Sequence, residues 1–235
     1  MINRRLWGRA KNFVRQRLHV HKASGEQPTR LGNDTAATVS KGSKSPYVPG
    51  LAPPPENYDS GIRLEIFREL LKPMRPGRLL DVAAGHGAFS IAASELGWKV
   101  TAVDARSDRF PSVAGIDWIE ADLRTFKIEG FDVICLLGIL YHLQLDDQLD
   151  LLRRCAGTPT IIDTHTTQRA DTTSDGYQGW LFQEHREAST ASWGNIQSFW
   201  PTRPALDAML ADCGYRFVFR LEPEYYPDRT FYLCL

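Results

Sequence analysis

Charge of one sign is what this sequence does not have: 28 Lys and Arg offset 28 Asp and Glu, for a formal net charge of zero. Nothing global draws it to nucleic acid, whose binding rests on clustered cationic side chains. Cysteine is scarce as well. Cys135, Cys155, Cys213 and Cys234 stand far apart, and without a C-x-x-C pair no zinc site is expected. Cys135 and Cys234 sit in apolar runs and read as buried, reduced thiols, which fits a cytoplasmic location, where disulfides are rare. No apolar run reaches the roughly 20 residues of a membrane helix, so no membrane span is expected. The basic N-terminus lacks the apolar stretch of a secretory signal. Internal repeats are absent too.

What is present is a length of 235 residues, 43% of them hydrophobic, which suits one α/β domain with an extension and can bury a sizeable core. Residues 1–22 hold Arg4, Arg5, Arg9, Lys11, Arg15, Arg17 and Lys22 without one acid, and Leu6, Trp7, Phe13, Val14 and Leu18 recur at roughly helical spacing. This predicts a basic N-terminal helix. It suits an anionic surface or an RNA, or docking on the same chain or on a second copy in a homodimer. The neutral overall balance favours docking. Residues 23–55, rich in Ser, Gly, Thr, Asn and Pro, read as a flexible linker or lid.

The folded domain is predicted over 56–235. A helix follows Ser60 and stops at Pro73. Strands are expected at 78–82, 99–103, 116–119, 131–137 and 159–162. Helices are expected at 88–96, 146–155 and 204–213, and two closing strands at 216–221 and 230–235. Strand–helix alternation implies an α/β fold: a seven-stranded, mostly parallel, doubly wound sheet with helices on both faces. The last two strands have no helix between them, so they pair as a hairpin or place an antiparallel C-terminal strand in the sheet.

The segment Leu79-Leu80-Asp81-Val82-Ala83-Ala84-Gly85-His86-Gly87 runs from strand through a small-residue turn into a helix. Ligands in such sheets bind outside the carboxyl ends of the strands, and the helix start offers free N–H donors. A dinucleotide-binding turn for NAD is the plain alternative. Three details argue against it. Asp81 would repel a pyrophosphate but suits the ammonium and sulfonium end of S-adenosylmethionine. Ala83 and Ala88 break the G-x-G-x-x-G pattern. A second strand ends at Asp104, where a carboxylate can grip a ribose diol. Asp122 and the backbone of Leu123, after the third strand, are placed to meet an adenine. The fourth strand ends at Leu137-Gly138 and floors the site.

In this order the features resemble the class I S-adenosylmethionine-dependent methyltransferases, with the match covering about residues 79–163. The family usually has Gly at the place of Ala83. The resemblance implies a Rossmann-like methyltransferase fold with S-adenosylmethionine as cofactor and S-adenosylhomocysteine as product. It assigns Asp81, Ala83, Gly85 and Gly87 to the methionine side, Asp104 to the ribose, and Asp122 and Leu123 to the adenine. Tyr58 and Arg63 would close over the cofactor's carboxylate.

Gly138-Ile139-Leu140-Tyr141-His142-Leu143 is similar to the GVLYH segment of methyltransferases related to the tRNA wobble-uridine enzyme of the CmoB type, and the stretch from Phe199 to Tyr215 resembles that group too. Leu143 replaces the basic residue that often follows the His. The broader relatives include sugar and small-molecule O-methyltransferases. A hydroxyl acceptor must shed a proton as it attacks, and histidine is matched to that task near neutral pH. His142 is therefore the first candidate base, with Asp163 and His165 as partners or alternatives. Asp163 and His165 could also offer two ligands to a divalent metal, but two ligands do not make a site. Residues 166–200 read as an insert with little apolar period. Its Tyr177, Trp180, Trp193 and Trp200, with Tyr141, suit the faces of a sugar ring. The expected function is methyl transfer to a hydroxyl of a saccharide or similar small polar acceptor. The alternatives are a CmoB-like tRNA-modifying methyltransferase and a methyltransferase-fold protein without catalysis.

Overall fold

The structure, a computed structural model, describes residues 19–21, 61–184, 192–221 and 229–235. The main sheet contains β1 (His19–His21), β2 (Arg78–Val82), β3 (Lys99–Asp104), β4 (Asp117–Glu120), β5 (Val133–Leu137), β6 (Thr160–His165), β10 (Val218–Leu221) and β11 (Arg229–Cys234). The strand order is β1-β10-β11-β6-β5-β2-β3-β4. The pairs β4–β3, β3–β2, β2–β5 and β5–β6 are parallel. β11 lies antiparallel between β6 and β10. The seven-stranded, mostly parallel sheet with one antiparallel C-terminal strand is thus present, and β1 adds an eighth strand at the edge.

Why the sheet is central follows from its residues. β5 is buried at all five positions, as a parallel strand covered on both faces must be. Helices α1 (Arg63–Leu71) and α2 (Ala88–Glu95) cover one face, where Phe67, Leu71, Ala92 and Ala93 meet Leu79, Val100, Cys135 and Phe231. Helices α3 (Leu145–Cys155) and α4 (Arg203–Asp212) cover the other, where Leu149, Leu152, Leu206 and Met209 meet Leu80, Ile134, Leu136 and Tyr232. All four cysteines are free and buried. Thr202 caps α4, its hydroxyl accepting from the Ala205 N–H, and Pro204 sits in the first turn, where its missing N–H costs nothing.

The insert has more order than its composition suggests. It forms a three-stranded antiparallel sheet of β7 (Thr172–Ser174), β8 (Tyr177–Gln183) and β9 (Gln197–Pro201). Asp175 and Gly176 form the two-residue loop between the first two strands, both with positive φ. Asp-Gly is the residue pair such a hairpin prefers, so the signal was in the sequence. Buried Gln148 on α3 ties the insert to the body, donating to the carbonyls of Leu143 at 3.0 Å and Phe199 at 2.6 Å. Of the predicted N-terminal helix, only residues 19–21 are described. They form a strand, so a helix over 1–22 does not reach His19. The rest of that segment, the linker over 23–55, Tyr58 and Ser60 lie outside the described residues.

Candidate active site

The carboxyl ends of β2, β3 and β5 open onto one cavity of about 310 Å³. The β2–α2 loop forms one wall. Ala83, Gly85 and Gly87 all have positive φ, 59°, 55° and 73°. A methyl group on Gly85 would meet nothing within 4 Å, because this position faces open space. One on Gly87 would come within 2.3 Å of Trp118, so this glycine is required by packing as well as by its dihedral. Ala83 holds the left-handed conformation without a glycine's freedom, a local cost on the order of 1 kcal/mol.

Asp104 ends β3 at the cavity wall. One carboxylate oxygen accepts from the Gly85 N–H and the other from the Arg106 N–H, both at 2.9 Å. An ionised carboxylate has about four acceptor sites, so both oxygens can still accept from a diol. Asp122 and Leu123 also line the cavity. Arg124 grips Asp122 and reaches Asp147 at 2.9 Å and Asn195 at 2.9 Å. Leu137, Ala121 and Val103 supply apolar wall.

Asp81 is elsewhere than expected. It pairs in register with Ala102 and Cys135 inside the sheet, with one more residue of β2 after it. Strand alternation turns it beneath α2, where it is 2% exposed and accepts from the Ser90 hydroxyl at 2.6 Å. It supports the loop from behind and is not part of the cavity wall. Burial pushes its carboxyl up to about 7, against the Ser90 hydrogen bond and with the Asp104 charge adding to the rise.

On the opposite side, the chain turns at Gly138 (φ 94°) into a short 3₁₀ turn, Leu140–His142. Arg63 from α1 and Arg229 from β11 converge over Gly138, their nearest nitrogens 3.5 and 3.2 Å from where its Cβ would stand. Both arginines line the cavity, as do Tyr141 and His142. Arg63 therefore sits where a cofactor carboxylate could reach it, and Arg229 is a wall residue that the sequence reading missed.

Asp163 and His165 do not line the cavity. Asp163 is fully buried between the two arginines, accepting from Arg63 Nε at 2.8 Å and from Arg229 Nε at 3.0 Å. With its oxygens held by guanidinium groups, it is in no position to take a substrate proton or a metal. His165 Nε2 lies 3.0 Å from Arg229 Nη1, and its ring stacks on Trp200. Burial and the Arg229 charge push the imidazole down to about 3, so it is neutral and Nε2 accepts from the arginine. Both residues thus act behind the wall, fixing Arg229 and Arg63. Among the described residues no group of three or more His, Cys, Asp or Glu is arranged to hold a metal.

His142 is in the wall with only 20% of its side chain exposed, and its Nδ1 lies 3.2 Å from Glu184 Oε1. Tyr141 packs beside it, ring centroids 4.2 Å apart, and edge-on to Trp200. Of the four insert aromatics expected to face an acceptor, only Trp193 reaches the cavity, 54% exposed at its rim. Tyr177 points the other way and donates to Asp212 at 2.6 Å. Trp180 packs under Arg169, and Trp200 stacks behind Tyr141 on His165 and Phe182. Tyr177 and Trp200 pin the insert to the body, and Trp180 packs within the insert on Phe182 and Trp200.

The arrangement fits a nucleoside ligand: a loop of mostly small residues at a helix start, an acid at the next strand tip, and an apolar slot with a polar edge. Comparison with known proteins agrees. Residues 56–217 match the model of a methyltransferase domain family. A search of curated protein sequences finds no match. Among solved structures, the chain resembles the N-terminal domain of EvdMO1 with S-adenosylhomocysteine bound, with a TM-score of 0.63 and 21% identity over 74% of this chain and 80% of that one. It also resembles the glycopeptide N-methyltransferase MtfA complexed with S-adenosylmethionine, with a TM-score of 0.53 and 14% identity over 73% and 86%. A third is the Burkholderia thailandensis 1,6-didemethyltoxoflavin-N1-methyltransferase, at 0.52 and 19% over 76% and 80%. The chain belongs to the methyltransferase domain family that its residues 56–217 match, and it is a class I S-adenosylmethionine-dependent methyltransferase.

Proposed function

We propose that this methyltransferase transfers its methyl group to a hydroxyl of a sugar or similar small polar acceptor, with His142 as the general base. The observation that carries this reading is His142 itself. It is the histidine that shares a wall with Asp104 and the β2–α2 loop while one ring nitrogen is already bound to a carboxylate. Support comes also from the EvdMO1 domain, whose structure was obtained in the presence of S-adenosylhomocysteine and D-fucose.

S-adenosylmethionine supplies a methyl group on a good sulfonium leaving group that needs no acid. The chain supplies the rest. Asp104 holds the ribose hydroxyls, Asp122 and the Leu123 backbone the adenine edge, and Arg63 the carboxylate. Small residues at 83, 85 and 87 let the ligand lie against the backbone. Positioning of this kind accounts for up to ~7–11 kcal/mol of barrier reduction. His142 takes the hydroxyl proton as the new C–O bond forms, worth roughly 10²–10⁴-fold. Trp193 at the rim offers an aromatic face to the acceptor.

The test is labelled methyl uptake across a panel of monosaccharides, phenols, amines and tRNA, with wild type and His142→Ala. The expected result is uptake into a saccharide hydroxyl that falls by about 10²–10⁴-fold in the variant, with S-adenosylhomocysteine affinity unchanged. Uptake confined to an amine or to RNA, or full activity in His142→Ala, would overturn the reading.

A further inference from the structure

We infer that Glu184, supplied by the insert, is the positioning residue that fixes the tautomer of His142; this rests on the proposal that His142 is the base. Among the described residues, each hydrogen-bond partner of the Glu184 carboxylate can donate to it. Oε1 lies 2.8 Å from the Ser198 hydroxyl and 3.2 Å from His142 Nδ1, and Oε2 accepts from the Ser192 N–H at 3.3 Å. Such a setting calls for an ionised, acceptor-only group. Burial raises the Glu184 carboxyl, but the hydrogen bonds from His142 and Ser198 outweigh it and hold it below its ordinary value. A carboxylate that only accepts requires Nδ1 of His142 to carry the hydrogen. The lone pair then belongs to Nε2, the nitrogen left for an acceptor hydroxyl.

The backbone of the same turn is gripped by the same segment. The His142 carbonyl accepts from Ser192 Oγ at 2.6 Å and from Asn195 Nδ2 at 2.8 Å. Side chain and main chain of His142 are thus both set by residues between β8 and β9. Glu184 is 7% exposed and does not line the cavity, so it acts through His142 and touches no substrate. The insert thereby has a catalytic consequence beyond covering the cavity: it carries the group that makes His142 a base with a defined open nitrogen.

The experiment uses the full chain with ¹⁵N-labelled histidine. Long-range ¹H–¹⁵N spectra report the tautomer of His142 without any acceptor. Wild type should show the neutral ring protonated at Nδ1. Glu184→Ala should lose that signature, and Glu184→Gln should weaken it, since its amide must face the Ser192 N–H or the Ser198 hydroxyl with a donor. Turnover on the saccharide found above should fall at least tenfold in kcat for both variants, with KM for S-adenosylmethionine within about twofold of wild type. Glu184→Asp should recover part of the loss. If the alanine variant fails to fold, the glutamine and aspartate variants carry the test. A wild-type ring protonated at Nε2, or a Glu184→Gln protein with unchanged tautomer and kcat, would overturn the assignment. Loss of activity in Glu184→Gln alongside full activity in His142→Ala would instead sink the base.

Discussion

Asp163→Asn is the substitution for which the structure makes the sharpest demand. The carboxylate is fully buried, and the arginines that hold it are nearly so, with side-chain exposures of 16% for Arg63 and 9% for Arg229. The three residues come from α1, β6 and β11, so the cluster ties three elements together at Gly138. An amide of the same shape keeps the volume but removes the charge, leaving two guanidinium groups beside one dipole. Breaking a buried pair by removing one partner costs about 3–5 kcal/mol. For a domain of this size each kcal/mol lowers Tm by roughly 2–4 °C, so the variant should melt about 6–20 °C below wild type. That is a large share of a total stability of about 5–15 kcal/mol. The assay is thermal and urea unfolding by circular dichroism at pH 7.5, with equal urea m-values required for the comparison to hold. A Tm within about 2 °C of wild type would refute the cluster, and a loss of turnover at unchanged Tm would restore Asp163 as a candidate base.

Asp81 sets a pH dependence. Its carboxyl is raised from an ordinary 3.8 to about 7 in the folded state, so between those values the folded chain binds more protons than the unfolded one. Its contribution to stability is fully present below about pH 4 and is lost as pH rises toward 7. Asp81→Asn should therefore raise Tm by several degrees at pH 8, an effect on the order of a few kcal/mol, and leave it unchanged near pH 4; parallel Tm–pH curves for the two proteins would contradict this. Asp104→Ala should weaken S-adenosylhomocysteine roughly 10–100-fold by calorimetry, since each hydrogen bond to a charged group contributes ~1.5–3 kcal/mol.

Much of the fold could be read from alternation alone. The apolar run ending at Leu137, the glycine after α2 and the acid at Asp104 each state their role locally. Asp104 was legible because a strand tip next to a small-residue loop leaves its carboxylate one place to go. Asp81 was misread because the strand runs one residue past it, and that one residue turns the side chain beneath a helix. Asp163 and His165 follow the same strand-tip pattern as Asp104, but what sets them apart is Arg229, 66 residues from Asp163. A local reading cannot tell a carboxylate that faces a cavity from one that faces an arginine brought from so far away. Glu184 and Arg229 were hidden for the same reason: a single charged residue gains meaning only from a distant partner. The insert's aromatics advertised packing as loudly as binding, and three of the four are half-buried against other residues of the insert or the body.

Arg229 also bears on how the pocket comes into being. Every other described residue in its wall precedes it in the chain, and β11 lies between β6 and β10. Until β11 pairs there, β6 has a bare edge and Asp163 lacks one of its two cations. The wall of the cavity is thus completed by a long-range pairing, of the kind that forms slowly.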